Sequence, residues 1–180
     1  MIDIQKLTPQ WESWFYETDE RRLDSEEVTV KLGRSGFALE YRPKPGALWR
    51  VTSREEAPAR LGAVGEGFVA LLDGEPAGRM LLRAGEHRLA QVEGLSVSLA
   101  LRRRGVGRAL LDYAAQWAAR YGLCGLCVET QDTNAGACQF LTRCGFALGG
   151  VDMLRYVCQS VPMRKAPALR EKALFFYKLL

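Results

Sequence analysis

Eight residues, Arg102-Arg103-Arg104-Gly105-Val106-Gly107-Arg108-Ala109, restrict the fold of this chain more than any other stretch. Before them, Arg88 to Ser98 reads as a strand with Leu89, Gln91, Glu93, Leu95 and Val97 on one face. After them, a helix reads from about Arg104 to Tyr121, with Leu110, Ala114, Trp117, Ala118 and Tyr121 on its inner face. Gly122 is placed to close that helix. Glycines between a strand and a helix let the backbone turn tightly and come close to a ligand. The first N–H groups of the helix lack partners within it, and its dipole adds partial positive charge there. Such a turn suits a pyrophosphate, and the flanking arginines add charge-assisted hydrogen bonds. A Gly-x-Gly taken alone also fits a plain helix start with a solvated basic edge. The pattern is not Gly-x-Gly-x-x-Gly, because Leu110 stands at the third glycine. Nor is it a Walker loop, because no Gly-Lys-Ser/Thr follows.

The rest of the chain supplies alternating strands and helices. Ile2 to Leu7 reads as a strand. Thr8-Pro9 then places an N-cap and a first-turn proline before a helix bearing Trp11, Trp14 and Phe15. Val28 to Leu32 and Phe37 to Tyr41 read as extended pieces, with loops at Pro43, Pro45, Gly46 and Pro58. Gly67 to Leu72 and Ala77 to Leu82 form a hairpin around Asp73-Gly74-Glu75-Pro76. Leu123 to Glu129 is a strand, and Thr133 to Arg143 a shorter helix closed by Gly145. Phe146 to Val157 and Ala173 to Leu179 read as two last strands. The order implies one α/β domain over residues 1–180 with a mixed sheet.

The 180 residues are 48% hydrophobic and 26% charged, ordinary for a globular domain. A net charge of +4 suits an anionic ligand and is too dispersed for nucleic acid. No run of 18 apolar residues is present, so no membrane span is expected. The start Met1-Ile2-Asp3-Ile4 lacks a basic stretch followed by an apolar core, so no signal peptide is expected. Five cysteines, an odd number, point to reduced thiols and a cytoplasmic protein. Cys124 and Cys127 have redox-motif spacing, but three residues apart on a strand they face opposite ways. His87 is the single histidine and reads as an exposed turn residue, so neither a zinc site nor a Ser/His/Asp triad is expected. Cys138 lacks a histidine partner nearby and is not read as a nucleophile. Trp11, Trp14 and Phe15 read as core or pocket wall.

Arg102-x-x-Gly105-x-Gly107 resembles the Gln/Arg-x-x-Gly-x-Gly/Ala signature of the GNAT acetyltransferases. Val92-Glu93-Gly94-Leu95-Ser96-Val97 is similar to that family's fourth strand. Asn134, Ala137, Phe140 and Cys144-Gly145-Phe146 resemble the helix that closes its cofactor site. The resemblance covers about Gly67 to Phe146. It implies a mixed, mostly antiparallel sheet of about seven strands flanked by helices. It implies acetyl-CoA as acyl donor, with no metal. Pyrophosphate would lie on the backbone amides of Arg103, Arg104, Gly105, Val106, Gly107 and Arg108. The pantetheine arm would lie along a splayed strand at Leu95, Ser96 and Val97, pairing with backbone groups of Leu95 and Val97 and touching Asn134. A monomer or homodimer is implied, with Ala173 to Leu180 as the place for an interface. Within the family, Glu129-Thr130-Gln131, Asn134, Ala137-Cys138 and Cys144-Gly145-Phe146 with Gly149-Gly150 and Asp152 resemble streptothricin acetyltransferases, as does the aromatic Phe175-Phe176-Tyr177. Residues 1–65 match that subfamily poorly.

Acetyl transfer to an amine needs a group to take the ammonium proton and donors for the tetrahedral oxyanion. Glu93 and Glu129 are the two candidate bases. In the family's strand order both approach the cleft where the strands part, and either one could instead pair with a nearby arginine. Asp132 and Asp152 are lesser candidates for attracting a cationic acceptor. A small primary amine is the expected acceptor. The family usually carries Tyr where this chain has Leu141, as the acid for the departing thiolate. Tyr156 and Tyr177 are candidate replacements, and Leu141→Tyr is expected to raise turnover. Without such an acid, a CoA-binding protein with little catalysis is the alternative to an enzyme.

Overall fold

The computed structural model describes residues 1–17, 21–51, 65–156 and 171–180. Pro58 and Val157, named above, lie outside them, as does the fifth cysteine, Cys158. The described chain runs β1 (Ile2–Lys6), α1 (Pro9–Glu17), β2 (Arg21–Gly33), β3 (Gly36–Val51), β4 (Glu66–Leu72) and β5 (Glu75–Ala84). It continues through β6 (Leu89–Val97), α2 (Val106–Arg120), β7 (Gly125–Gln131), α3 (Ala135–Arg143), β8 (Ala147–Asp152) and β9 (Ala173–Leu179). Seven strands form one sheet in the order β1-β4-β5-β6-β7-β9-β8, and β2 pairs with β3 separately. The α/β sheet expected from the sequence is present, with antiparallel pairing of β1 with β4, β4 with β5, β5 with β6 and β8 with β9.

Contacts divide the chain into two compact units. The first holds Met1–Arg21, Val51–Cys127 and Leu179–Leu180; the second holds Arg22–Arg50 and Val128–Lys178.

In the first unit, β4 is buried along its middle because both of its faces are covered. Val69 and Leu71 pack with Phe15 and Leu81 in a cluster that also receives Leu7, Trp11 and Trp14. On the other face the Phe68 ring meets Tyr113 of α2 with centroids 4.9 Å apart. Phe15 of α1 is therefore core, with Trp11 and Trp14 partly buried against it. Helix α2 buries Val106, Leu110, Leu111, Ala114, Trp117 and Ala118, a stripe at helical spacing. Tyr121 departs from expectation and is exposed. It caps the helix rather than facing inward, and its hydroxyl donates to Glu66 at 2.9 Å. Gly122, at φ 67°, donates to the Ala119 carbonyl, and Leu123 to that of Ala118. This double closure uses the left-handed residue that glycine tolerates.

Helix α2 sits close on the sheet because Gly78 has no side chain. A Cβ there would lie 2.8 Å from Val106 Cγ1, 3.1 Å from Leu110 Cδ1 and 3.1 Å from the Ser96 carbonyl oxygen. Gly78→Val is expected to lose about 2–3 kcal/mol, or roughly 5–10 °C in Tm, through overpacking. Thermal unfolding followed by circular dichroism checks this, and an unchanged Tm would mean that the helix start does not rest on β5.

The second unit contains the remainder of β7 with β9, β8, α3 and the β2–β3 hairpin. The hairpin is longer than the two extended pieces read from sequence, and Pro43, Pro45 and Gly46 lie within β3 rather than in loops. A two-stranded sheet leaves each strand one free edge, where a missing proline N–H breaks no ladder. Strand β8 ends at Asp152, short of the expected boundary, where Asp152 Oδ1 accepts from the Leu154 amide at 2.8 Å and turns the chain. Gly149 sits at a register shift between β8 and β9, and a Cβ on it would fall 2.5 Å from the Tyr177 ring. That contact gives Gly149 a packing reason.

Candidate active site

In the first unit the chain leaves β6 through a tight turn that leads into α2. Ser98 donates to the Ala77 carbonyl at 2.9 Å, and a single 3-10 turn spans Leu99–Leu101. Arg102 then ties the turn down, its Nε donating to the Val97 carbonyl at 3.0 Å and its Nη2 to the Arg21 carbonyl at 2.6 Å. Arg103 and Gly105 both take left-handed backbone, at φ 66° and 87°. Gly105 is the N-cap of α2 and has no side chain to accept from the first helical amides. Ala109 is the residue whose N–H returns to the Gly105 carbonyl, at 3.0 Å. The amides of Val106 and Gly107 open the helix, before its first i to i−4 bond. Arg103, Arg104, Gly105 and Arg108 are exposed, and the Val106 side chain is buried. The helix begins at Val106, two residues later than the sequence implies.

Strand β6 corrects one expectation. Leu81 pairs with Glu93 and Arg79 with Ser96, so three residues of β6 answer two of β5. Gly94, at φ 57°, is where the extra residue fits. The bulge breaks the alternation, so Leu95 and Val97 do not continue the face of Glu93, and the buried positions are Ala90 and Val92. Leu95, Ser96 and Val97 are half-buried beyond the bulge. A bulge also frees ladder groups that a ligand's amides can pair with. Glu93 forms an ion pair with Arg83, Nε to Oε1 at 2.8 Å, on the neighbouring strand.

In the second unit Glu129 is the centre of a small polar cluster. Its Oε1 accepts from the Tyr156 hydroxyl at 2.8 Å, and its Oε2 from Arg155 Nη2 at 3.1 Å. Burial, and next the adjoining carboxylate, hold the Tyr156 phenol far above its ordinary range, so it stays a donor. Glu129 itself is only about a quarter exposed (24%). Asn134 caps α3, its Oδ1 accepting from the Ala137 amide at 3.2 Å, which leaves its Nδ2 to face elsewhere. Asp132 is occupied by Lys172, at 3.2 Å between side chains, and Asp152 by the turn described above.

Leu141 is buried, 2% exposed, and Gly145 closes α3 beside it, with the Phe146 amide donating to the Leu141 carbonyl at 3.1 Å. A tyrosine ring at this place would overpack the core and bury a hydroxyl. The gain in turnover expected from sequence becomes an expected loss: Leu141→Tyr lowers stability by about 1–3 kcal/mol, read as a drop in Tm, with no rise in kcat. Cys138 is buried and its thiol is pushed up to about 12, chiefly by burial. Cys124 is exposed and Cys127 buried. His87 sits on an exposed turn, and no metal-binding cluster occurs among the described residues.

The sequence left the arginine partners unassigned. Arg83, Arg155 and Arg22 lie 10, 26 and up to 149 residues from the groups they hold, and no periodicity joins such positions. For Arg83 a signal existed: two residues from the carbon opposite Glu93, it is within diagonal reach on a paired strand.

A family model described as the Acetyltransferase (GNAT) family matches residues 36–146. Streptothricin acetyltransferase A of Bacillus subtilis (strain 168) is 36% identical over 110 residues, 61% of this chain and 60% of that protein. Streptothricin acetyltransferase of Escherichia coli is 38% identical over 89 residues, 49% of this chain and 51% of that protein. The matched segments thus span 60% and 51% of those relatives' own lengths. Among solved structures, a Bacillus anthracis (strain Ames) protein designated a streptothricin acetyltransferase, in complex with acetyl coenzyme A, superposes with a TM-score of 0.82. It is 25% identical, and the alignment covers all of this chain and 98% of that one.

Proposed function

Since the chain belongs to the GNAT acetyltransferase family, we propose that it moves an acetyl group from acetyl-CoA to a primary amine of a small molecule of the streptothricin class. The observation that carries the donor half is the turn before α2. Left-handed backbone at Arg103 and Gly105, a glycine N-cap and the helix dipole direct amides outward where an anion binds. The residues assigned to acetyl-CoA are Arg103, Arg104, Gly105, Val106, Gly107 and Arg108 for the pyrophosphate, and Leu95, Ser96, Val97 and Asn134 for the pantetheine arm. No side chain is required to form a covalent intermediate: the neutral amine attacks the thioester carbon, the C–S bond breaks, and CoA leaves as its thiolate. A thiol with pKa near 8.5 is a competent leaving group without a strong acid.

Glu129 is proposed as the group that takes the ammonium proton, because its Oε1 shares a 2.8 Å hydrogen bond with a phenol that remains protonated. Glu93 is the other carboxylate fit for the task. The acceptor class rests on the names of the relatives and on the subfamily residues Glu129 to Cys138 and Cys144 to Asp152. A β-lysine amine of the streptothricin kind is the chemical group in question, and its acetylation would give antibiotic resistance.

The test is incubation of the protein with acetyl-CoA and streptothricin, with the acetylated product detected by mass spectrometry. A product heavier by one acetyl group supports both reaction and acceptor. CoA binding with no product rejects streptothricin. A panel of polyamines, amino acids and peptide amines then separates another acceptor from a CoA-binding protein that does little chemistry.

A further inference from the structure

Gln131, Asp132 and Thr133 join the strand that carries Glu129 to the helix capped by Asn134, and these three residues are gripped from two directions. From β2, the Arg22 guanidinium donates to Gln131 Oε1 at 2.5 Å, to Thr133 Oγ1 at 3.2 Å and to Glu171 Oε1 at 3.4 Å. Thr133 Oγ1 in turn donates to Glu171 at 2.7 Å. From the segment before β9, the Lys172 amide donates to Asp132 Oδ1 at 3.0 Å, and the Asp132 amide donates to the Lys172 carbonyl at 3.1 Å. The Asn134 amide closes the loop on the Gln131 carbonyl at 2.9 Å. Four positions further along β2 than Arg22, Glu26 accepts from Gln139 of α3 at 2.8 Å, so two residues on one face of the strand reach the loop and the helix.

We propose that Arg22 is a positioning residue for the pantetheine contact: through Gln131 and Thr133 it fixes the loop that aims the side-chain amide of Asn134. The inference rests on the acetyl-CoA reading given above. A guanidinium presents a rigid planar fork with five donors, and the 17% exposure of this side chain leaves water little access to replace it. Asn134 cannot turn freely, since its Oδ1 is spent on the Ala137 amide, so its Nδ2 points wherever the loop directs it. The loop residues are those that set the subfamily stretch apart, whereas Arg22 lies before residue 36, where the family model's match begins. The hairpin β2–β3 thereby acquires a role in the donor half of the reaction.

Calorimetric titration with two ligands tests this. One ligand is CoA. The other is adenosine 3′,5′-bisphosphate, which keeps a phosphorylated nucleotide and lacks the pantetheine arm. Arg22→Met and, separately, Gln131→Leu are expected to weaken CoA about five- to tenfold, the loss of one well-placed hydrogen bond. Both should leave the bisphosphate within about twofold of wild type, because the lost aim concerns only the arm. Arg22→Lys keeps the charge without the fork and is expected to remain impaired toward CoA alone. Equal CoA affinity in wild type and in either folded variant overturns the proposal. So does an equal loss for both ligands, which would mean that Arg22 merely supports the fold. A wild-type protein that binds no CoA overturns instead the reading on which the proposal stands.

Discussion

Glu129→Gln is expected to lower kcat for amine acetylation by about 10²- to 10⁴-fold, the range a positioned proton acceptor contributes. The substitution keeps the shape of the side chain, and its amide oxygen still accepts from Tyr156, whose hydroxyl lies 2.8 Å from Glu129. What it removes is the ability to take a proton. An amine acceptor arrives as an ammonium at neutral pH and attacks only after losing that proton. The acidic limb of the kcat/KM profile should therefore disappear in the variant, while the KM for acetyl-CoA stays close to wild type. Stability should change little: the partner Arg155 is half exposed (52%), and an ion pair so open to water is worth at most about 1 kcal/mol. Glu93→Gln is the matched comparison, since Glu93 is held by Arg83 at 2.8 Å in a similar way. A loss of this size in Glu93→Gln, with Glu129→Gln near wild type, would transfer the role to β6.

Much of this architecture is legible from residue order, and the reasons are physical. Local signals survive in sequence because they concern neighbours. Gly122 and Gly145 each sit where a helix closes with left-handed backbone, at φ 67° and 85°, and a residue without Cβ is the natural solution there. The turn at Gly105 is legible for the same reason, and so are the apolar stripe of α2 and the buried run of β4. Long-range polar pairing is not legible. Arg22 meets groups 109, 111 and 149 positions away, and only the folded chain brings them together. The bulge at Gly94 lay between these cases. A glycine inside a strand signals an irregularity, yet the residues on both sides of it alternate, and alternation alone places Leu95 and Val97 on the face of Glu93. Prolines in β3 misled in the opposite direction. They read as loop because a central strand excludes them, and the pairing partner that made β3 a free-edged strand was not visible from the sequence.

Gly105→Val is expected to weaken CoA binding by about a hundredfold or more while leaving most of the fold intact. Gly105 holds φ 87° at the N-cap of α2, and a β-branched side chain there is a backbone outlier. The strain amounts to about 1–2 kcal/mol, tolerable for a domain of this size, and the space beside it is open: a Cβ would have Ile2 Cδ1 as neighbour at 3.7 Å, an ordinary contact. Strain would be relieved by turning the peptide on either side of residue 105, and that motion redirects the amides of Val106 and Gly107 from the anion. The effect on binding should therefore exceed the effect on stability, the reverse of Gly78→Val, where a Cβ meets the helix at 2.8 Å. Measured together, Tm and the CoA dissociation constant separate the two: Gly105→Val should shift Tm by roughly 2–8 °C and weaken CoA by about a hundredfold or more, the worth of two charge-assisted hydrogen bonds. A Gly105→Val protein that binds CoA as wild type does would show that the phosphates rest on the arginine side chains of residues 102–108 and not on the helix amides.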